Sequence, residues 1–354
     1  MEVKSNNYSV YIGRDVLQEF NSILKDCEGQ YSKLFIFCDE NSAQFCLPHL
    51  IEHVPMLIGS ELIEIESGEQ NKTLDICTKV WDTISESKAD RKSIIINLGG
   101  GVVCDMGGMI ASLYKRGVKF FHIPTTLLAQ VDASVGGKLA VDMGGHKNQI
   151  GLFRNPDIVL VDPEFLTTLP ERHWMSGLAE VLKHALIADA DYWTFLAGMD
   201  LQNDDFLQAL LHKSIDIKNK IVLQDWEEQG IRKTLNFGHT VGHALESEAL
   251  SNNEDLLHGE AVAIGLAVET IISEMINDLD ADQCAHVVST AIGSPSSQSH
   301  HLSEPAVSPV ISSSSPVEHW AIERSWPSLT EWQPVRRAWL RSIVTISLSS
   351  AHEW

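Results

Sequence analysis

Along the first half of the chain, apolar residues fall in short β-branched and aromatic runs separated by longer amphipathic stretches. The runs are YSVYIG at 8–13, KLFIFCD at 33–39, ELIEIES at 61–67, SIIINLGGG at 93–101, KFFHIPTT at 119–126 and DIVLVD at 157–162. Strands alternating with helices predict an α/β domain over 1–163, an open Rossmann-like sheet. From Pro163 to about Asp282 the strand signal vanishes. Apolar residues there take helical spacing, in ERHWMSGLAEVLKHALI, FLQALLHKSIDIKNKIV, TLNFGHTVGHALESEAL and HGEAVAIGLAVETIISEMI. An all-α domain over 164–283 follows from that change of period. Past Cys284 the character changes again: ten Ser and four Pro fall among the 23 residues from Ser294 to Pro316, and five of the nine Trp follow residue 316. Such a composition buries little apolar area, so 284–354 is expected to be a divergent tail, disordered or aberrant.

With 354 residues the chain has room for two cores, and 44% hydrophobic with 21% charged residues is the balance of a globular protein. No apolar run reaches the roughly 20 residues of a membrane-spanning helix. The N-terminus enters a strand pattern directly, with no apolar leader, so a cytoplasmic enzyme is expected. A net charge of -22 excludes nucleic acid and anionic membrane surfaces as partners. Six scattered cysteines without a CxxC pair read as reduced, buried residues.

Three segments suggest a nucleotide site. INLGGGVVCDMGG joins a buried strand to a helix through Gly99, Gly100 and Gly101, with Asp105 one turn in. Glycine there lets backbone N–H groups approach a pyrophosphate at a helix N-terminus. GGG alone is a weak signal, since many tight strand-to-helix turns carry it. SGEQNKTL adds Glu69 and Lys72, and IPTTLLAQVD adds Thr125, Thr126 and Asp132, both after strands, where open sheets bind ligands. Capping of the following helices is an equally good reason for the hydroxyls.

The helical half carries metal-ligand chemistry. His239 and His243 stand four apart on one helix face, Glu246 follows, His258 opens the next helix, and GLAEVLKHAL offers Glu180, Lys183 and His184. Two or three imidazoles with a carboxylate suit an open catalytic Zn²⁺ site. Spacing leaves two pairings open, His239 with His243 or His239 with His258. Around them stand Arg116 from YKRG, Lys138 from VGGK, Lys147 and Asn148 from GHKNQ, and Lys183, Lys218, Arg232 and Asn236. In an acidic chain this cluster points to a multiply anionic small molecule, although any single lysine is as readily a solvated helix-face charge.

Taken together, GEQNKT, GGGVVCDMGG, YKRG, PTTLLAQVDASVGGK, GHKNQIG, SGLAEVLKH, GIRKTLNFGHTVGHALE and LHGEAVAIG resemble the 3-dehydroquinate synthase family of sugar phosphate cyclases, in the family's order from about residue 8 to 283. The resemblance implies one divalent metal, Zn²⁺ or Co²⁺, on Glu180, His239 and His258. It implies NAD on Asp39, Glu69, Lys72, Gly100, Gly101, Asp105, Thr125, Thr126, Lys138 and Lys147. Substrate contacts carried over are Arg116, Asp132, Lys138, Lys147, Asn148, Lys183, Lys218, Arg232, Asn236 and His243. The implied reaction is a lyase step of the shikimate pathway, from 3-deoxy-D-arabino-heptulosonate 7-phosphate to 3-dehydroquinate and phosphate, with NAD reduced and reoxidised within each turnover. A homodimer is expected. The alternatives are a related cyclase, an NAD-dependent polyol or glycerol-phosphate dehydrogenase, and an inactive homologue.

Two departures stand out. Leu139 follows GGK where the resemblance predicts Thr, and no Lys follows Lys233, whereas the family continues with a lysine that reaches the substrate phosphate. A replaced or out-of-frame C-terminus from about 285 is the reading that covers both the composition and the missing lysine. It also predicts uncovered apolar faces on the helices near 262–276.

Overall fold

The computed structural model describes residues 1–144, 146–197, 204–252, 254–277 and 279–292. Strands β1 (Glu2–Lys4) and β2 (Ser9–Ile12) form an antiparallel pair, followed by helix α1 (Val16–Asp26). Then come β3 (Leu34–Asp39), α2 (Glu40–Phe45), α3 (Leu47–His53), β4 (Glu61–Ile65), α4 (Leu74–Glu86), β5 (Ile94–Gly99), α5 (Gly101–Leu113) and β6 (Lys119–Pro124). A hairpin of β7 (Lys138–Met143) and β8 (His146–Phe153) precedes β9 (Ile158–Val161). The rest is helical: α6 (Glu171–Ala188), α7 (Ala190–Ala197), α8 (Asp204–Gln224), α9 (His239–Ser251), α10 (His258–Asn277) and α11 (Ala281–Ile292).

The main sheet runs β1-β2-β9-β6-β5-β3-β4 and is parallel except at β1. Its central strands read LFIFCD and IIINLG because both faces are covered, which removes the need for polar alternation. Successive side chains still leave by opposite faces. Ile36, Cys38, Ile96 and Phe121 meet Leu17, Phe20 and Leu50 of α1 and α3, while Phe35, Phe37, Ile95 and Phe120 meet Val80, Ile84, Met106 and Ile110 of α4 and α5. Truncating Phe20, fully buried in the first layer, would cost about 3–5 kcal/mol.

A third core joins the halves: Tyr8, Val10, Ile12, Val159 and Val161 at the β2–β9 side pack with Val181, Tyr192, Leu210, Leu211 and Ile215 from α6, α7 and α8. The sheet's carboxyl edge therefore faces the helical layer. The β7–β8 hairpin, which the strand signals do not predict, lies on α5 through buried Leu139 and Val141. Leu139 stands against Gly108, where an added Cβ would come within 2.4 Å of its Cδ2. The departure from Thr at 139 is thus absorbed as core packing.

Helix α11 carries the packed region past the boundary placed at 283, burying Cys284 and Val287 and accepting the Trp193 indole N–H on His286 Nε2 at 3.1 Å. The expected character of the tail from 293 onward lies outside the described residues. On α10, Val262, Leu266 and Thr270 are buried whereas Ile272, Met275 and Ile276 are exposed. All six cysteines are free, and five are buried. No helix among the described residues is long and apolar enough to cross a membrane.

Candidate active site

Glu180 comes from the middle of α6, and His239 and His258 are the first residues of α9 and α10. Their meeting depends on close helix approach: at Gly259 a Cβ would fall 1.9 Å from the Ser176 carbonyl oxygen, so only glycine lets the start of α10 rest on α6. His239 Nε2 lies 3.5 Å and His258 Nε2 3.2 Å from Glu180 Oε1. One ligand atom from each of the three residues falls within 4.8 Å of the others.

Each imidazole is engaged on its outer nitrogen. His239 Nδ1 is 3.2 Å from the Phe237 carbonyl, and His258 Nδ1 is 3.2 Å from Glu246 Oε1. Engagement of Nδ1 on the outside turns each Nε2 inward, the orientation of metal-binding histidines. Two nitrogen donors and one carboxylate, open on one side to a cavity, fit a divalent cation. His243 lines that cavity with its ring centroid 5.2 Å from His239, outside the cluster. Asp132, Glu180 and His184 form a second convergent group immediately beside it.

The electrostatics differ from residue to residue. Burial pushes His239 down to about 4. Burial acts the same way on His258, but hydrogen bonds to Glu180 and Glu246 overcome it and raise the ring to about 9. Burial would raise Glu180, yet the Lys183 ammonium beside it holds the carboxyl well below the ordinary range. Asp132, in a π-turn (Ala129–Ala133), is likewise opposed by burial but held low by Lys218 at 2.8 Å and Lys183 at 3.9 Å. Burial lowers Lys218 to about 8.

His239, His258, Asp132, Lys183 and Lys218 line a cavity of about 820 Å³ with Glu69, Lys72, Gly101, Asp105, Lys138, Lys147, Asn148, Arg232 and Asn236. The basic cluster is charge-matched by the protein itself. Lys72 meets Asp105 at 2.7 Å, Lys138 meets Glu228 at 2.5 Å, and Lys147 meets Glu246 at 2.7 Å. Asn148, held at φ +55° with its N–H on Asp142, accepts from Lys72 at 2.7 Å. Asn236 donates to Glu228 at 3.1 Å. Arg232 is fully buried, donating to the carbonyls of Trp226 and Gly136 at 2.6 and 2.9 Å, with its guanidinium 5.7 Å from the Phe153 ring centroid and 6.0 Å from that of Trp226.

At the sheet end Gly100 caps α5, and the Thr126 hydroxyl accepts the Ala129 N–H at 3.2 Å, so its capping role is present. Thr125 is buried at the end of β6, with its N–H on the Gly99 carbonyl. Asp39 caps α2 through the Ser42 N–H at 2.7 Å. Asp39, Gly100, Thr125 and Thr126 lie along the carboxyl ends of β3, β5 and β6, bordering the cavity rather than lining it. Arg116 is not brought to the site within this chain: it is exposed in the turn Tyr114–Arg116, beyond the far end of α5 and about 20 Å of helix from Gly101. Glu228 escaped the sequence reading because the exposed-looking loop EEQG carries no periodic or motif signal.

The parallel sheet, whose glycine turn opens on the same cavity as His239 and His258, has the fold of the dehydroquinate synthase-like sugar phosphate cyclases. It is shared with 2-deoxy-scyllo-inosose synthase complexed with carbaglucose-6-phosphate, NAD⁺ and Co²⁺ (24% identity, TM-score 0.74, 82% of each chain covered). A second structure, 2-epi-5-epi-valiolone synthase from Streptomyces hygroscopicus with NAD⁺ and Zn²⁺ bound, is 29% identical at TM-score 0.71, covering 82% of this chain and 81% of that one. Family models for the 3-dehydroquinate synthase N-terminal and C-terminal regions match residues 62–176 and 177–310. The 3-dehydroquinate synthase of Parabacteroides distasonis is 40% identical over 274 residues, 77% of this chain and 76% of its own length. The chain belongs to the 3-dehydroquinate synthase family.

Proposed function

We propose that this chain converts 3-deoxy-D-arabino-heptulosonate 7-phosphate to 3-dehydroquinate and phosphate, using NAD and one Zn²⁺ or Co²⁺ ion. The observation that carries the reading is the meeting of buried Glu180 with His239 and His258, whose imidazoles line the same cavity as Asp132, Lys183, Lys218 and Arg232. Glu180, His239 and His258 would hold the metal, which would supply Lewis-acid chemistry to a substrate hydroxyl, and the glycine turn at the start of α5 would seat NAD, which would supply the hydride chemistry. Lys138, Lys147, Lys183, Lys218 and Arg232 supply the donors for phosphate and carboxylate oxygens. Each is already paired in the free protein, so an anionic substrate enters by exchanging partners rather than by neutralising bare charge.

The test is phosphate release from the heptulosonate phosphate with added NAD⁺ and Zn²⁺ or Co²⁺. Release without net NADH is expected. Steady NADH accumulation on a polyol would instead establish the dehydrogenase alternative, and silence in both assays the inactive one. A homodimer in the cytoplasm completes the proposal, and light scattering on the purified chain checks the subunit count.

A further inference from the structure

Glu246 belongs to none of the ligand sets above, yet it stands directly behind one of them. It is 3% exposed, on α9 one turn beyond His243. Its Oε1 lies 3.2 Å from His258 Nδ1 and 2.7 Å from Lys147 Nζ, and its Oε2 is buried without a hydrogen-bond partner. We propose that Glu246 is a positioning residue for the metal site: it accepts the His258 Nδ1–H, turns the ring so that Nε2 faces Glu180 and His239, and is itself tethered by Lys147. The inference deepens the metal reading above and rests on it.

A neutral imidazole has one N–H, and the nitrogen that carries it cannot bind metal. A carboxylate at Nδ1 secures the tautomer with Nε2 bare and strengthens that nitrogen as a donor. His239 has only the Phe237 carbonyl in the equivalent place, a weaker acceptor. His258 is therefore the stronger of the two nitrogen donors. Lys147 arrives from β8, so the Lys147–Glu246 contact spans the cavity from the hairpin to α9 and ties the seat of His258 to an element that has no other part in the cluster.

Metal-free wild type, Glu246→Ala and Glu246→Gln would be titrated with Co²⁺, following the visible absorption of the bound ion and competing it with a chelator. The dissociation constant is expected to rise about 10–100-fold in Glu246→Ala. A smaller rise is expected in Glu246→Gln, whose amide oxygen still accepts from Nδ1–H. The absorption of the fully loaded alanine variant should also shift, which a merely stabilising role for Glu246 would not produce. If Glu246→Ala does not fold, Glu246→Gln carries the same comparison. Wild-type affinity and spectrum in the variants would overturn the role of Glu246 while leaving the metal site standing. Failure of the wild type to take up Co²⁺ would remove the metal reading and this inference with it.

Discussion

The two ends of the cavity handle charge differently. At the sheet end, Lys72 is 4% exposed yet rests between Asp105 and Asn148, both at 2.7 Å, so the buried cation is satisfied by its own neighbours. At the helical end, two imidazole nitrogens turn toward one carboxylate oxygen at 3.2 and 3.5 Å, and the Glu180 and Asp132 carboxylates crowd the same corner. The first arrangement is complete as a protein structure. The second crowds two carboxylates and two imidazoles into one corner, where Lys183 and Lys218 hold the carboxylates charged, a donor set that suits a cation.

Substitutions at each end test that contrast. His239→Ala should show the largest effect: losing a nitrogen ligand forfeits several kcal/mol of charge stabilisation, so phosphate release should fall about a thousandfold, together with metal content, while NAD affinity stays near wild type. NAD binding lost in parallel would mean that the ends are not separable. Lys72→Met should act the other way, leaving the half-buried Asp105 without its cation at a cost of about 1–3 kcal/mol in urea unfolding, with Co²⁺ affinity unchanged. Metal loss in that variant would break the comparison.

The smallest effect is a proton. In the metal-free protein His258 is raised from 6.5 to about 9 by its two carboxylates, so the stability it contributes is complete below pH 6.5 and fades as pH rises through 9. Metal capture must displace that proton. Co²⁺ affinity should therefore climb about tenfold per pH unit from 7 toward 9. A flat profile over that range would place His258 outside the ligand set.

Much of this was legible in the amino-acid sequence because the strongest signals are local. LFIFCD and IIINLG declare buried parallel strands without any tertiary information, and GHTVGH places imidazoles on one helix face. The hairpin was not legible: β8 alternates between partly covered and exposed positions and buries no residue fully, so it leaves no apolar run to detect. Nor does spacing reveal that the YKRG turn is carried to the opposite end of α5, which is why Arg116 was grouped with lysines it does not reach. The boundary at 283 followed composition, whereas α11 keeps helical spacing to Ile292 and buries Cys284 and Val287 just before the Ser/Pro stretch begins. The pairing of every cavity lysine with an acid is a property of three dimensions alone.

Arg232 shows what such a cavity demands of its residues. Its guanidinium lies beside the rings of both Phe153 and Trp226 while two of its nitrogens reach separate carbonyls, so the site is written for a flat, forked group. Lysine would keep the positive charge and lose the plane and the fork. At this position, then, outline matters more than sign, and a substitution that looks conservative on a charge scale is a drastic one in shape.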